Sequence, residues 1–341
     1  MTRPNVSVVI PTFNRAALLP RAIESVVAQT FDDWEIVLVD DGSTDDTPQV
    51  AARCSEQIGD RFVYIRQPNL GSSAARNRGI DASLGRFVAF LDSDDEFLPH
   101  KFERQLAVFD ARPGLGFVYS DFAFVDLKGV RSESAFDSKF PISRTVPCEP
   151  IAPGLYECTA DLFGALIRGY FIATIVGLVR RDALGADIRF AENLRYAEER
   201  LFYLRLARRW RAGFVDEPLA LHHFVEASLT RTDKHRNTHD LLDLLKAVRS
   251  AFPDLRPELH RALNRQIADT CRQLGYDAHA AGRLREALTW FSSAARHHLS
   301  VPAVGELAGA GLRWITSAAA HRTRSGLRVP TTTQAAIDSA R

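Results

Sequence analysis

The first ninety residues alternate short β-branched apolar runs with helix-period apolar patterns. Strand-like runs occur at 6–10, 34–41, 62–67 and 86–91, and helical patterns at 16–29, 47–58 and 72–83. Strands and helices that alternate at this spacing predict βαβ crossovers and a parallel sheet covered on both faces. We therefore expect an α/β fold, with a mostly parallel, Rossmann-like sheet and helices on both faces.

Composition restricts the class of protein further. The chain has 341 residues, 46% hydrophobic and 25% charged, which is typical of a soluble protein with a large domain and an appendage. A net charge of +1 argues against nucleic-acid binding through overall electrostatics. The four cysteines are scattered without a CxxC pair, so we expect neither a zinc site nor a disulfide framework.

The N-terminus lacks the pattern of a signal peptide, and no window holds about 18 uninterrupted apolar residues. We therefore expect a cytoplasmic protein, with at most a peripheral contact at the inner face of the cell membrane.

Two parts of the chain depart from the strand–helix alternation. Residues 130–165 are rich in proline and weakly periodic, and we interpret them as an extended loop over the sheet. From about residue 235 the patterns are helical, and residues beyond Arg296 are basic and contain few acids. These changes predict a domain at 1–235 and a helical region at 236–341 with a poorly ordered tail. The helical region could dock on an anionic membrane surface, and an acceptor-binding, partner-binding or homodimerising role fits it equally well.

Acidic residues follow two of the predicted strands. Asp40 and Asp41 end the second run, and Asp92, Asp94, Asp95 and Glu96 follow the fourth. Ligands of open α/β sheets bind beyond the carboxyl ends of the strands. Alternation along an extended backbone puts Asp92 and Asp94 on one side, where they could share Mg²⁺ or Mn²⁺, with Asp95 reaching from the turn. The alternative is a solvated, acid-rich turn that caps the next helix, and in either case Glu96 is expected to start that helix.

Other motifs are weaker alone. The stretch 39–47, "VDDGSTDDT", is either ordinary turn chemistry or a contact from Asp40 to a bound base. Residues 11–15, "PTFNR", precede a helix N-terminus, which favours anions. Arg76 is either solvated or faces a diphosphate. Glu198 and Glu199 begin a helix, where acids complement the helix dipole or act in catalysis.

Taken in order, these motifs resemble the family 2 glycosyltransferases, which have the GT-A fold. The resemblance rests on "VSVVIPTFNRAALLPRAIESVVAQTFDDWEIVLVDDGSTDDT" and "NLGSSAARNRGIDASLGRFVAFLDSDDEFLPHKFERQL", and it extends to about residue 232. It implies an inverting transfer from a nucleotide-diphospho-sugar to an acceptor hydroxyl, assisted by a divalent cation, Mn²⁺ or Mg²⁺.

The resemblance also implies residue roles. Donor binding is expected from Pro11, Thr12, Phe13, Asn14, Arg15, Asp40, Asp41, Asn69, Arg76, Asp92 and Ser93. Asp92, Asp94 and Asp95 are expected to hold the cation. Glu199 stands where relatives usually carry the aspartate base, and Glu198 could substitute for it. Relatives often carry a histidine where this chain has Val225, and His222 or His223 could compensate.

The resemblance favours a UDP-, dTDP- or GDP-sugar donor and a glycan, lipid-linked or small-molecule acceptor, in cell-surface polysaccharide or glycoconjugate synthesis. Two alternatives stay open. One is a sugar-1-phosphate nucleotidyltransferase, although "PTFNRAALL" lacks the glycine and lysine that such a loop needs. The other is a non-catalytic glycan or scaffold module on the same fold.

Overall fold

The computed structural model describes residues 4–158, 161–225 and 234–298. The strands are β1 (Val6–Thr12), β2 (Trp34–Asp40), β3 (Phe62–Arg66), β4 (Phe87–Phe90), β5 (Glu96–Phe97), β6 (Phe117–Val125), β7 (Cys148–Ala152), β8 (Leu155–Cys158), β9 (Gly177–Arg180) and β10 (Ala212–His223). The helices are α1 (Leu19–Val27), α2 (Thr47–Ile58), α3 (Ser72–Ala82), α4 (Lys101–Ala111), α5 (Ala135–Ser138), α6 (Leu162–Arg168), α7 (Arg181–Leu184), α8 (Glu198–Arg209), α9 (Lys234–Ala251), α10 (Pro257–Ala280) and α11 (Leu284–His297).

The strands form one mixed sheet with helices on both sides, which confirms the predicted α/β fold. Its order is β3-β2-β1-β4-β9-β6-β10-β8-β7, and β5 also pairs with β10. The first four strands in this order are parallel to one another, as the alternating pattern predicts. Strand β9 runs antiparallel to both β4 and β6. Strand β10 is parallel to β6 and antiparallel to β5 and β8, so the second half of the sheet is mixed.

Strands β1, β2 and β4 are buried along their whole length, which explains why their sequences are largely apolar, and the buried polar pair Ser7 and Glu35 is joined by a hydrogen bond. Helix α3 packs on β1 and β2. A Cβ added to Gly79 would lie 2.2 Å from the Val9 side chain, so glycine permits the close approach of this helix to the sheet. Arg76, one turn earlier on α3, is consequently drawn against the sheet as well.

Two local predictions are wrong. Residues 130–165 contain the β7–β8 hairpin, which joins the sheet through β10. Strand β7 lies at the sheet edge, is largely exposed and contains Pro150, so its sequence carries little strand pattern. Glu96 belongs to β5 and does not start a helix, since α4 begins at Lys101.

The described part of the C-terminal region, residues 234–298, consists of helices α9–α11. The chain divides into compact units at Leu263 and Asn264, within α10. In the second unit Ala278, Ala287 and Phe291 form a small core between α10 and α11. None of the helices in the described ranges is both long and apolar enough to span a bilayer. The predicted tail after residue 298 lies outside the described residues, and the predicted boundary at 235 stays a prediction.

Candidate active site

The carboxyl ends of β1, β2 and β4 meet at one edge of the sheet. Thr12, the last residue of β1, is in register with Asp40, the last residue of β2. Beyond β4, the amide of Leu91 donates to the carbonyl of Val9 on β1, so the acidic turn starts beside the same strand. The two acidic clusters and the "PTFNR" segment are therefore neighbours, although they are far apart in the sequence.

Asn14 and Arg15 tie these segments together. Asn14 has a left-handed backbone (φ 54°), which asparagine tolerates better than most residues. The side-chain Oδ1 of Asn14 accepts from the backbone N–H of Thr44 at 2.7 Å, and the backbone N–H of Asn14 donates to Ser43 Oγ at 3.0 Å. Arg15 Nε lies 3.8 Å from Asp94 Oδ2. The first loop thus bridges the turn that follows β2, at Ser43 and Thr44, and Asp94 in the turn that follows β4.

The two acids at the end of β2 have different surroundings. Asp40 is fully buried, and it accepts from the Ser43 amide (2.8 Å) and from the Tyr64 hydroxyl (2.7 Å). Asp41 accepts from the amides of Leu70 and Gly71, at 2.9 and 2.8 Å. Asp41 therefore fixes the segment that leads into α3, whereas Asp40 lies beneath the loop surface.

The turn after β4 alternates between two sides. Asp92, Asp94 and Glu96 are half-buried, whereas Ser93 and Asp95 are buried. Burial and the neighbouring charge of Asp92 raise the pKa of Asp94. Asp92 and Asp94 thus place two carboxylates on the accessible side of the turn, and the raised pKa of Asp94 means that its negative charge is disfavoured there. A bound cation would stabilise that charge, so this side of the turn favours cation binding.

Arg76 joins this turn to the start of α8. Its Nη2 donates to Asp92 Oδ1 and its Nη1 to Glu198 Oε1, both at 2.6 Å. Arg76 and Glu198 are 5% and 6% exposed, so this is a buried ion pair. Ser72 Oγ, on the same face of α3, also donates to Glu198 Oε1, at 3.1 Å. The predicted diphosphate contact of Arg76 stays a prediction, while the structure places its guanidinium between two protein carboxylates.

Asp95 and Glu96 contact the two histidines at the end of β10. Asp95 Oδ2 lies 3.0 Å from His222 Nδ1, and its Oδ1 accepts from the His223 amide at 2.9 Å. His223 Nε2 lies 2.6 Å from Glu96 Oε1. Burial alone would lower the pKa of His222, but the charge and hydrogen bond of Asp95, together with the charges of Asp92 and Asp94, outweigh it and raise the pKa to about 9. Both histidine rings therefore hold acids of the turn.

Glu199 differs from Glu198 in exposure and in partners. It is half-buried, and among the described contacts its side chain accepts a hydrogen bond from the Tyr170 hydroxyl, 2.5 Å from Oε1. Burial and the charge of Glu198 raise its pKa to about 7. A carboxyl group with this pKa is suited to accept a proton near neutral pH.

The donor set of the turn fits a magnesium or manganese ion only in part. Asp92 and Asp94 supply two accessible carboxylates, and Mg²⁺ is commonly held by one or two carboxylates together with substrate phosphates. Both oxygens of Asp95 already have partners in the protein. No group of three or more His, Cys, Asp or Glu side chains within the described ranges is arranged to hold a metal by itself. The residues therefore fit a cation shared with a phosphate ligand.

The remaining predicted donor residues surround the same edge. Pro11 and Thr12 are buried at the end of β1, Phe13 is 42% exposed, and Asn69 lies in the exposed segment before α3. Tyr64 and Tyr170 were not predicted. Tyr170 follows α6, and neither tyrosine belongs to a motif that would mark it.

The comparisons with known proteins agree with this geometry. Residues 7–146 match the family model described as glycosyl transferase family 2. The chain belongs to this family. An uncharacterized glycosyltransferase of Rickettsia felis is 30% identical over 245 residues, which cover 71% of this chain and 37% of that protein. The chain thus spans little more than a third of the length of the curated relatives that it matches first.

Solved structures of other glycosyltransferases share the fold of this family 2 chain. Staphylococcus aureus TarS 1-349 in complex with UDP-GlcNAc has a TM-score of 0.62 at 20% identity, and the match covers 85% of this chain and 79% of that one. The mannosyltransferase PcManGT of Pyrobaculum calidifontis, in complex with GDP-Man and Mn²⁺, has a TM-score of 0.55 at 19% identity, and covers 92% and 81%. At these identities the likeness shows the fold.

Proposed function

We propose that the chain transfers a sugar from a nucleoside-diphospho-sugar to an acceptor hydroxyl with inversion, and that Glu199 is the general base. The observation that carries this proposal is the buried bridge Asp92–Arg76–Glu198. It fixes the start of α8, and with it Glu199, against the turn that carries Asp92 and Asp94. The proposed base, Glu199, and the proposed cation site at Asp92 and Asp94 would thereby be held at the same edge of the sheet.

The choice of Glu199 over Glu198 follows from their partners. Glu198 is buried and its Oε1 is bound by Arg76 at 2.6 Å, so its carboxylate is inaccessible to an acceptor and already paired within the protein. Glu199 is partly accessible and has a pKa of about 7. In the transfer, Glu199 takes the proton of the acceptor hydroxyl as its oxygen attacks the anomeric carbon. The bond from that carbon to the diphosphate oxygen breaks, and the electron pair leaves with the nucleoside diphosphate.

The donor is proposed to lie along the loops that follow β1 and β2. Its nucleoside would contact Phe13, Asn14, Arg15 and Asn69, with the exposed ring of Phe13 as an apolar surface, while the buried residues Pro11, Thr12 and Asp40 would support this loop from beneath. Asp41, which holds the amides of Leu70 and Gly71, would shape this surface from below. The diphosphate would lie beside Asp92, Ser93 and Asp94.

A Mg²⁺ or Mn²⁺ ion bound by Asp92 and Asp94 would neutralise charge on the departing diphosphate. UDP-GlcNAc and GDP-Man in the two solved relatives support a UDP- or GDP-sugar donor, and dTDP-sugars belong in the same test. A glycan or lipid-linked acceptor at a membrane surface, and a role in polysaccharide or glycoconjugate synthesis, remain part of the proposal.

The experiment that tests the proposal is a hydrolysis and transfer screen. The full chain is incubated with a panel of UDP-, dTDP- and GDP-sugars and Mn²⁺, and release of the nucleoside diphosphate is measured. Release from one donor, lost in chelator and in Glu199→Gln, supports it. Formation of a nucleotide sugar from a sugar 1-phosphate and a nucleoside triphosphate would instead support the nucleotidyltransferase alternative. Binding of a nucleotide sugar without turnover would support the non-catalytic alternative.

Asp94→Asn tests the cation site separately from turnover. Asp94 is half-buried, and its ion pair with Arg15 is long, at 3.8 Å, so it contributes little to stability. The substitution is therefore expected to leave the melting temperature within about 2 °C of wild type. The increase in UDP or GDP affinity caused by Mn²⁺ is expected to fall at least tenfold, since one of two carboxylate ligands is lost. Isothermal titration calorimetry with and without chelator measures it.

Asp110→Asn is the matched control for Asp94→Asn. Asp110 is an exposed acid on α4 that lines a surface depression together with Asn5 and Phe87, at the opposite end of the strands. It should retain the full effect of Mn²⁺. An unchanged Mn²⁺ effect in Asp94→Asn would remove Asp94 from the cation site.

A further inference from the structure

Within the part of the chain that the structure describes, one side-chain hydrogen bond links Glu199 to a residue outside its own helix. The Tyr170 hydroxyl donates to Glu199 Oε1 at 2.5 Å. Tyr170 lies just after α6, whereas Glu199 is the second residue of α8. The ring of Tyr170 packs edge-on against Phe140, with the ring centroids 5.8 Å apart. The packing of the ring therefore helps to fix the position of the hydroxyl that donates to Glu199.

The direction of this hydrogen bond is set by electrostatics. Burial and the charge of Glu199 raise the pKa of Tyr170 well above its ordinary value, so the phenol stays protonated and acts as the donor. A hydrogen bond to the charged form of a carboxyl group lowers its pKa. Tyr170 thus opposes the effects of burial and of Glu198, which raise the pKa of Glu199.

The hydrogen bond also limits the orientation of the carboxylate. A glutamate side chain has three rotatable bonds, and catalysis requires its proton-accepting oxygen at a defined position. With Oε1 occupied by Tyr170, the carboxylate has Oε2 for a proton from another molecule. The backbone below Glu199 is fixed as well, because Glu198 is held by Arg76.

We propose that Tyr170 is a positioning residue that holds Glu199 Oε1 and presents Oε2 to the acceptor hydroxyl. This inference rests on the proposed role of Glu199 as the base. Tyr170 itself exchanges no proton in the transfer. A purely structural role, in which only the ring of Tyr170 matters, makes a different prediction, since phenylalanine would replace it without effect on Glu199.

Tyr170→Phe keeps the ring and removes the donor. The pKa of Glu199 is expected to rise by about one unit, so the acidic limb of the pH–rate profile moves by about one pH unit to higher pH. Above this limb kcat is expected to fall about tenfold because the carboxylate is less ordered, with KM for the donor changed less than twofold. The rate of nucleoside diphosphate release from the donor found in the screen measures both effects.

Tyr196→Phe is the matched control. Burial and the nearby charge of Glu199 raise the pKa of Tyr196, but among the described contacts Tyr196 does not hydrogen-bond to Glu199. It is expected to leave the limb of the profile in place. A wild-type pH profile in Tyr170→Phe would overturn the inference, even if the melting temperature fell.

A second measurement does not depend on turnover. The change in melting temperature caused by Glu199→Gln is measured at pH 8 in the wild-type and the Tyr170→Phe backgrounds. The inference predicts a larger increase in the Tyr170→Phe background, since the charged carboxylate there has lost its donor. Equal changes in the two backgrounds would contradict the coupling. If the coupling is present but Glu199→Gln remains active, the proposed base is wrong while the Tyr170 contact stands.

Discussion

Glu199→Gln is expected to abolish sugar transfer and, at alkaline pH, to stabilise the fold. Removal of a general base typically costs a factor of 10²–10⁴ in rate. The glutamine of this variant keeps the size of the side chain and an oxygen that accepts from Tyr170, so donor affinity is expected to change less than twofold. Turnover and calorimetric titration of the nucleoside diphosphate measure the two quantities.

The stability effect follows from the raised pKa of Glu199, from 4.5 to about 7. The folded state binds this proton more tightly than the unfolded state, so the stabilisation is complete below pH 4.5 and is lost as the pH rises through 7. Glutamine carries no charge and avoids this loss. At pH 8 we expect the free energy of unfolding of Glu199→Gln to exceed that of wild type by on the order of 2 kcal/mol, and near pH 4 the two to be equal.

Glu24→Gln is a suitable control, because Glu24 is exposed on α1 and away from the site edge. It should change neither turnover nor the pH dependence of the melting temperature. The assignment of the base would be contradicted by full activity in Glu199→Gln together with an inactive Glu198→Gln.

Arg76→Leu is expected to have the largest effect on stability. It leaves Glu198, which is 6% exposed, without the cation that now lies 2.6 Å away. Removal of one partner of a buried ion pair typically costs about 3–5 kcal/mol. We expect a loss of this size in the free energy of unfolding, together with loss of transfer, because the bridge between the acidic turn and α8 is broken. Urea denaturation followed by circular dichroism measures the stability.

Arg78→Leu controls for the loss of an arginine from the same helix, since Arg78 is exposed, and it is expected to cost less than about 0.5 kcal/mol. The double variant Arg76→Leu, Glu198→Leu removes both charges and is expected to recover part of the stability. A loss in Arg76→Leu no larger than in Arg78→Leu would show that the bridge contributes nothing.

The N-terminal half of the sheet could be predicted from sequence because its strands are buried on both faces. Largely apolar runs such as residues 6–10 and 34–39 strongly favour buried strands, and the acids that follow β2 and β4 mark the ligand-binding edge of the sheet. Strands β7–β10 pair either in antiparallel fashion or with strands that are distant in the sequence. The local periodicity of a strand does not show which strand it pairs with. The β7–β8 hairpin was therefore missed.

Within the site, sequence reasoning found the acids but not what they contact. The inward orientation of Arg76 was available in principle, since Ser72, Arg76 and Gly79 share one helix face at spacings of four and three. The contact from Tyr170 was not available, because it joins two segments that are distant in the sequence. Partners of this kind depend on tertiary packing and leave no local pattern.

The acidic turn has a consequence for the order in which ligands bind. Each of its four acids already faces a basic side chain: Asp92 faces Arg76, Asp94 faces Arg15, Asp95 faces His222 and Glu96 faces Arg21. Because these contacts already offset part of the charge of the turn, we expect it to attract a free divalent ion only weakly. A nucleoside diphosphate brings its own negative charge, so metal and donor should bind with positive linkage. The concentration of nucleotide sugar, and not that of the metal alone, would then set the occupancy of the site.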